Sequence, residues 1–240
     1  MRILLTNDDG LRAEGLIPLI RWCRKLGEVI PVVPKVEQSG KSHSIEIHTP
    51  FEAKEVQLAP DITAWSVDST PADCIRFAVL GLKMEFDLVI SGVNRGLNIG
   101  RDIMYSGTAG AVFEAGSMKI PAVAISTDPA SYPCDEKHLD TVYDFFIKHA
   151  LMDKHTLYNV NIPKDPHSIR ITRQGGPYYS DDFDLQGNDM YLARGINVYT
   201  EGHDYEIDTN AALHGYISIS PLTICRTDLS MFEKLKELNK

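Results

Sequence analysis

The sequence predicts an α/β protein with a Rossmann-like, doubly wound, mainly parallel sheet and a protruding C-terminal hairpin or arm region. Three observations support this fold class. Short apolar runs alternate with helical patterns over roughly the first half of the chain and beyond. Polar, glycine-bearing segments follow several of these runs directly. Residues 174–214 are rich in Gly, Asp, Tyr and Asn with weak apolar periodicity, which indicates protruding loops and hairpins.

The first βαβ unit begins with an apolar strand at Arg2–Thr6. Apolar residues at helical spacing predict a helix over Glu14–Leu26, and Gly27 stands where a C-terminal glycine belongs. A second strand follows at Glu28–Val33. This order implies a parallel sheet with a right-handed crossover.

Residues 38–44 are predicted to be a loop, and Ile45–Leu58 alternates enough to indicate strands or a hairpin. Thr70 and Pro71 suit the start of a helix that runs to about Leu80. The later predicted elements are a strand at 87–91, a glycine-rich run at 92–100, a helix from Ser106, a strand at 121–126, a helix at 140–149, strands at 156–162 and 215–222, and a helix at 229–238.

The domain organisation follows from these elements. We predict a catalytic core made of residues 1–173 and 215–228, a protruding hairpin and oligomerisation region at 174–214, and a C-terminal helix at 229–240. Exchange of strands or arms between identical subunits is expected to involve the protruding region.

Composition narrows the class of protein. The 240 residues carry a formal charge of −9, which disfavours a nucleic-acid groove because phosphate-backbone binding relies on clustered Lys and Arg. The chain starts without a signal-peptide pattern and has no apolar stretch long enough for a bilayer, so we expect a cytoplasmic protein without a membrane partner. The four scattered cysteines are expected to be reduced thiols.

Three polar clusters follow predicted strands: Asn7-Asp8-Asp9-Gly10, Gln38-Ser39-Gly40 and Ser91-Gly92-Val93-Asn94. In open parallel sheets, ligands bind beyond the carboxyl ends of the strands. Each cluster alone is also typical of a turn or loop, and their agreement is what favours a site. Two adjacent carboxylates repel each other, and a bound cation is the simplest means of neutralising them.

The three clusters together offer carboxylates, a hydroxyl and an amide carbonyl. This all-oxygen set of ligands suits Mg²⁺ or Mn²⁺ better than structural zinc. The segment Ser106-Gly107-Thr108 opens a helix, and free N–H groups there can bind a phosphate or serve as an ordinary cap.

Several motifs resemble the SurE family, the stationary-phase survival proteins that act as metal-dependent nucleotidases. The matching segments occur in order along almost the full chain: 3–10, 39–44, 70–74, 87–98, 105–111 and 215–222.

The resemblance implies that Asp8, Asp9, Ser39 and Asn94 are the metal ligands. It implies a phosphate site at Ser106, Gly107 and Thr108, with Asn94 near it, and we add Asn98 to the substrate-binding set. The resemblance implies hydrolysis of nucleoside 5′- and 3′-monophosphates, with activity on short polyphosphate in some members. It also implies homodimers or homotetramers that exchange a C-terminal arm.

The predicted mechanism uses one divalent ion, Mg²⁺ or Mn²⁺, with Asp8, Asp9 and Asn94 as catalytic residues. Asp8 or Asp9 is the general base, and either water or Asp8 itself is the nucleophile. Two other classes with acidic residues after the first strand are disfavoured. A haloacid-dehalogenase-type phosphatase needs Asp-x-Asp, whereas the two aspartates here are adjacent, and a receiver module would be much shorter than this chain. The alternative function is a non-catalytic nucleotide- or metal-binding oligomeric scaffold.

Overall fold

The computed structural model of this protein describes residues 1–239. The strands are β1 (Arg2–Thr6), β2 (Glu28–Pro34), β3 (Ala53–Ala59), β4 (Ile62–Val67), β5 (Leu88–Arg95), β6 (Ala122–Thr127), β7 (Leu157–Ile162), β8 (Ser168–Ile171), β9 (Tyr179–Gly187), β10 (Met190–Asn197) and β11 (Tyr216–Pro221). The α-helices are α1 (Leu16–Cys23), α2 (Pro71–Arg76), α3 (Gly107–Ser117), α4 (Glu136–Lys148), α5 (Leu151–Lys154), α6 (Asp208–Leu213) and α7 (Leu229–Leu235).

Nine of the strands within the described residues form one sheet in the spatial order β3-β4-β2-β1-β5-β6-β7-β11-β8. The neighbours of β1, which are β2 and β5, both run parallel to it, and β5, β6 and β7 are parallel to one another. Two pairs, β3 with β4 and β11 with β7, are antiparallel. Strands β9 and β10 form a separate hairpin. The predicted α/β fold with a mainly parallel sheet and a hairpin is confirmed.

The core lies on both faces of the sheet. Side chains alternate along a strand, so Ile3 and Leu5 belong to one apolar cluster while Leu4 belongs to the other. The first cluster includes residues of α1 and α4, and the second includes residues of α2 and α3. Because β1 is covered on both faces, consecutive residues in it must be apolar, and this explains the apolar run at the start of the chain.

Several elements differ in extent from the sequence predictions. The helix expected over Glu14–Leu26 spans only Leu16–Cys23, and the regular part of the helix after Thr70 gives way at Phe77 to a π-helical turn. Within Ile45–Leu58 the strand begins only at Ala53. The chain before it is held by helix α2 instead of a neighbouring strand, since the backbone N–H of Glu46 donates to the side-chain Oδ2 of Asp73 at 2.8 Å.

Part of the segment expected to protrude is packed against the core. Helix α6 has five buried residues, from Asp208 to Ala212, although its polar composition indicated a surface loop. Burial is possible because Asp208 accepts hydrogen bonds from the backbone N–H of Gly100 at 2.9 Å and of Gly175 at 2.7 Å. The predicted C-terminal segment 229–240 ends one residue outside the described residues, and α7 begins at its predicted start.

The helices described in residues 1–239 include none that has the length and apolar character needed to cross a membrane.

Candidate active site

A cavity of about 690 Å³ opens where β1, β2 and β5 end. Most of the predicted site residues line it: Asp8, Asp9, Ser39, Asn94, Asn98 and Ser106. The other two, Gly107 and Thr108, lie in the first turn of α3 and are buried. The structure therefore brings the four residues proposed as metal ligands to a single cavity, as expected for segments that follow neighbouring parallel strands.

The first turn of α3 packs against Asp8 and donates a hydrogen bond to it. Its side chain is 5% exposed, and its Oδ1 accepts a hydrogen bond of 2.5 Å from the Thr108 hydroxyl. A Cβ atom on Gly107 would lie 3.0 Å from the Cβ of Asp8 and 3.2 Å from its Oδ2. Because a larger residue would crowd the carboxylate, the glycine allows the helix to approach it.

The start of α3 also presents polar groups towards the cavity. Ser106 is the N-cap residue, and its Oγ accepts a hydrogen bond of 3.1 Å from the backbone N–H of Ala109. Gly107 is the first helical residue, so its backbone N–H has no partner inside the helix. The positive end of the helix dipole therefore lies beside Asp8, where an anion would be stabilised.

The environment of the adjacent carboxylates disfavours their charged forms. Burial raises the pKa of Asp8 to about 6, opposed by the Thr108 hydrogen bond and assisted by the negative charge of Asp9. Burial also raises the pKa of Asp9, against the effect of the hydrogen bond that Arg95 N donates to its Oδ2 at 3.1 Å. A cation between these groups would remove the cost of keeping both ionised.

Asn94 reaches the cavity through an irregularity in β5. The pairing of β5 with β6 shifts register between Ser91 and Asn94. Gly92 within this shift has φ +142°, and a Cβ there would lie 2.3 Å from the carbonyl oxygen of Ile125. The Asn94 amide donates from Nδ2 to the Gly96 carbonyl at 2.7 Å. This bond leaves Oδ1 as the atom available to a ligand.

Asn98 is fixed by the strands beside it. Its backbone N–H donates to Asn161 Oδ1 at 2.7 Å, and its Nδ2 donates to the Ser126 hydroxyl at 2.8 Å. Its carbonyl accepts from the side-chain amides of Asn159 and Asn161. Rigid placement of this kind suits a residue that positions a substrate.

Ser39 lies on an exposed part of the cavity wall, in the loop after β2. Its hydroxyl donates to Glu37 Oε1 at 2.6 Å, and both residues line the cavity. The backbone beside it is tied to the site, since Gln38 N donates to the Asp8 carbonyl at 2.7 Å.

Beyond Ser39, the same loop is anchored on α3 and on the short 3-10 helix that precedes it. Ser42 Oγ donates to the Met104 carbonyl at 2.5 Å. The His43 Nε2 lies 2.6 Å from Oε2 of Glu114, whose other oxygen is 3.1 Å from the Arg76 guanidinium. Glu114 is nearly buried, and its hydrogen bonds with His43 and Arg76 outweigh burial and lower its pKa. These contacts hold the loop against the helix that supports Asp8.

The donor set at the cavity fits a hard divalent ion. Two carboxylates, one amide oxygen and one hydroxyl are oxygen ligands of the kind that Mg²⁺ and Mn²⁺ prefer, and no His or Cys lines the cavity among the described residues. The raised pKa values of Asp8 and Asp9 mark the position where positive charge is needed.

The family model described as Survival protein SurE matches residues 3–181. The chain belongs to the SurE family. The matched range contains all eight predicted site residues of this SurE-family chain, and the predicted family membership is confirmed.

Relatives of this SurE-family chain match over almost their full length. The 5′-nucleotidase SurE of Pelotomaculum thermopropionicum is 37% identical, with 100% of this chain and 96% of the relative covered. The protein of the same name from Petrotoga mobilis is 34% identical over 98% of both chains. A crystal structure of the SurE protein from Aquifex aeolicus has a TM-score of 0.78 at 30% identity and covers 100% of both chains.

Sequence reasoning missed several residues of the cavity wall. Arg12 and Arg95 bring positive charge to the site, and Tyr105, Tyr132 and Tyr179 bring aromatic rings. Arg95 could have been found from its place directly after Asn94 in the glycine-rich run. Tyr105 ends a 3-10 helix, Tyr132 lies in a loop and Tyr179 begins β9, and no local pattern in the sequence connects them.

Tyr132 illustrates a contact between distant segments. Its hydroxyl accepts a hydrogen bond of 2.8 Å from the backbone N–H of Gly15, and a Cβ on Gly15 would lie 2.9 Å from that oxygen. The guanidinium carbon of Arg95 is 5.9 Å from the centre of the Tyr132 ring. This pair forms a polar and aromatic part of the cavity wall next to Asp9, which accepts a hydrogen bond from Arg95 N.

Proposed function

We propose that this chain hydrolyses nucleoside 5′- and 3′-monophosphates to nucleoside and phosphate. The observation that carries the proposal is the convergence of Asp8, Asp9, Ser39 and Asn94 on one cavity beside the N-terminus of α3. Relatives with the name 5′-nucleotidase match nearly the whole chain. Metal-dependent cleavage of a phosphate monoester is the reaction that suits both facts.

The proposed cofactor is one divalent ion, Mg²⁺ or Mn²⁺, with Asp8, Asp9, Ser39 and Asn94 as its protein ligands. When bound, such an ion supplies Lewis-acid polarisation of a phosphoryl oxygen and lowers the pKa of a coordinated water. The all-oxygen chemistry of the four side chains supports this choice of ion.

The residues of α3 have separate proposed roles. Ser106 and the backbone N–H of Gly107 bind the oxygens of the phosphoryl group, where the helix dipole favours negative charge. The Thr108 hydroxyl is engaged with Asp8, so its contribution to phosphate binding is made by orienting that carboxylate. Arg12 and Arg95 at the cavity wall attract an anionic substrate in a chain whose formal charge is −9.

Proton transfer is assigned to the carboxylates. Asp8 or Asp9 accepts the proton of the attacking water, and each has a pKa raised by burial. Direct attack by Asp8, which would form an aspartyl-phosphate, is the second route. Acid quenching of a single turnover with ³²P-labelled substrate distinguishes them, since only the second route leaves label on the protein.

The activity is tested by measuring phosphate release from 5′-AMP and 3′-AMP after chelation, with and without added Mn²⁺ or Mg²⁺. We expect release that requires the metal, and short polyphosphate is tested in the same assay. Binding of AMP without turnover under every metal condition would favour the scaffold alternative.

We also propose that the chain forms a homodimer or homotetramer by exchange of a C-terminal arm, with 174–214 as the arm region, 229–240 as the terminal segment and the remainder as the catalytic core. Support comes from large apolar side chains that the hairpin and α7 leave exposed: Tyr179, Phe183, Leu185, Met190, Tyr191, Leu192, Leu229, Phe232 and Leu235. Light scattering after size exclusion tests this, and a monomer at micromolar concentration contradicts it.

A further inference from the structure

A second group of possible metal ligands lies away from the cavity. The side chains of Glu201, His203 and His214 place one ligand atom each within 4.8 Å of one another. Glu201 and His203 belong to the segment that follows β10, and His214 is the C-cap residue of α6. Two imidazoles and a carboxylate form a donor set that differs from the all-oxygen set beside β1.

The hydrogen bond made by Nδ1 of His214 identifies which ring nitrogen carries the N–H group. Its Nδ1 lies 2.8 Å from the carbonyl oxygen of Asn210. A carbonyl oxygen can only accept, so Nδ1 carries a proton and donates. The other ring nitrogen, Nε2, lies 3.3 Å from Oε1 of Glu201.

This arrangement leaves two electron-pair donors facing each other when the ring is neutral. Nε2 of a neutral ring protonated at Nδ1 is an acceptor, and so is the carboxylate oxygen of Glu201. A metal ion between these two atoms would accept an electron pair from each of them. His203 provides a third ligand atom within 4.8 Å of the other two.

We propose that Glu201, His203 and His214 form a second metal site, which binds a borderline divalent ion of the Zn²⁺ class. Imidazole nitrogens favour such ions over Mg²⁺. The hydrogen bond from His214 Nδ1 to a backbone carbonyl is the outer contact that usually orients a metal-binding histidine. Three protein ligands leave at least one position for water.

The site joins the base of the hairpin to the core. Tyr199, which follows β10, donates from its hydroxyl to Asn210 Oδ1 at 3.0 Å in α6. The same helix is bound to the segment before α3 through Asp208 and Gly100. An ion held by Glu201, His203 and His214 would link the end of the hairpin to α6 and stabilise the folded protein by mass action.

The test uses tag-free protein carrying Asp8→Asn, Asp9→Asn and Cys225→Ser, which removes the carboxylates of the first site and an exposed thiol. Titration calorimetry with ZnCl₂ should show one equivalent bound. His203→Ala and Glu201→Gln in this background should each weaken binding at least tenfold. Both side chains are exposed, so these changes create no cavity in the core. His149→Ala, an exposed histidine at the end of α4, is the matched control and should bind normally.

A second measurement is the melting temperature of the same proteins. ZnCl₂ should raise it in the background protein and in His149→Ala, but not in His203→Ala. Absence of Zn²⁺ binding in the background protein overturns the proposal, as does unchanged binding in both His203→Ala and Glu201→Gln. Neither result affects the proposed nucleotidase activity, because the background lacks the carboxylates on which that activity depends.

Discussion

The two sides of the proposed catalytic cavity are built differently. Asp8 is buried, receives a short hydrogen bond from Thr108 and packs against the glycine that begins α3. Ser39 is exposed on a loop and its hydroxyl bonds to Glu37 in the same loop. Asp8, the proposed charged ligand, is therefore placed by the sheet and a helix, whereas the position of Ser39, a proposed neutral ligand, depends on a loop.

If the proposed roles hold, residues on the buried side set the chemistry and residues on the loop adjust metal affinity. A site held on regular elements keeps its geometry when the solvent-facing loop moves. We therefore expect changes on the buried side to reduce turnover strongly, and changes on the loop side to be overcome by more metal.

The largest effect is expected for Asp8→Asn. Loss of a charged ligand that also serves as a candidate base should lower kcat/KM for 5′-AMP with Mn²⁺ by about 10³-fold. Circular dichroism should show an unchanged fold, because neutralising the buried member of two adjacent carboxylates relieves repulsion and the cost of burying a charge. An Asp8→Asn protein that remains active and responds to metal would refute its assignment as a ligand.

The second effect concerns stability without metal. Burial raises the pKa of Asp8 from 3.8 to about 6, so between these values the folded state binds more protons than the unfolded chain. The stability of chelated protein should therefore fall as pH rises from about 4 to 6, by roughly 3 kcal/mol from this group.

Urea denaturation in EDTA at several pH values measures this dependence. The contribution of Asp8 is the difference between the native sequence and Asp8→Asn, because other carboxyl groups titrate in the same range. A difference that stays constant from pH 4 to 7 would contradict the raised pKa. Added Mn²⁺ at pH 7 should restore stability to the native sequence only.

A smaller effect is expected for Thr108→Val, which keeps the shape of the side chain and removes its hydrogen bond to Asp8. Loss of such a supporting contact typically costs about 10- to 100-fold in metal affinity or activity. Thr108→Ser retains the hydroxyl and is the matched control. Equal activity of the valine and serine variants would show that the hydroxyl does not position Asp8.

The smallest effect is expected for Ser39→Ala. Removing one neutral ligand should weaken Mn²⁺ binding by about 10-fold while kcat at saturating metal stays near that of the native protein. Ser44→Ala, in the same loop but outside the cavity wall, should behave as the native protein does. A large loss of kcat that excess Mn²⁺ does not restore would remove the distinction between the two sides of the site.

Local patterns were sufficient for most of the fold and for the location of the site. The apolar run at β1 and the helical spacing of α1 predicted a βαβ unit. Thr70 and Ser106 accept capping bonds from Asp73 N and Ala109 N, as the helix-start signals indicated. The position of Asp8 at a strand end then predicted a ligand site, because parallel strands end at a common edge.

The positions of other residues depended on contacts between distant segments. Thr108 and Asp8 are 100 residues apart in sequence, and Tyr132 and Gly15 are 117 apart. No periodicity or cap links such pairs, so the role of Thr108 and the aromatic wall were missed. Likewise, the polar composition of α6 indicates a surface loop. The helix is buried instead, because its polar residues find hydrogen-bond partners in segments distant in sequence.

Local sequence patterns set the alternation of strands and helices, the helix starts and the position of the proposed oxygen ligands at one edge of the sheet. These features depend on the spacing of neighbouring residues and on backbone geometry. Tertiary packing set which side of the cavity is buried, how the Ser39 loop is anchored through His43 and Glu114, and which imidazoles lie near Glu201. Those contacts arise when separate elements pack together, and packing is set by the whole chain.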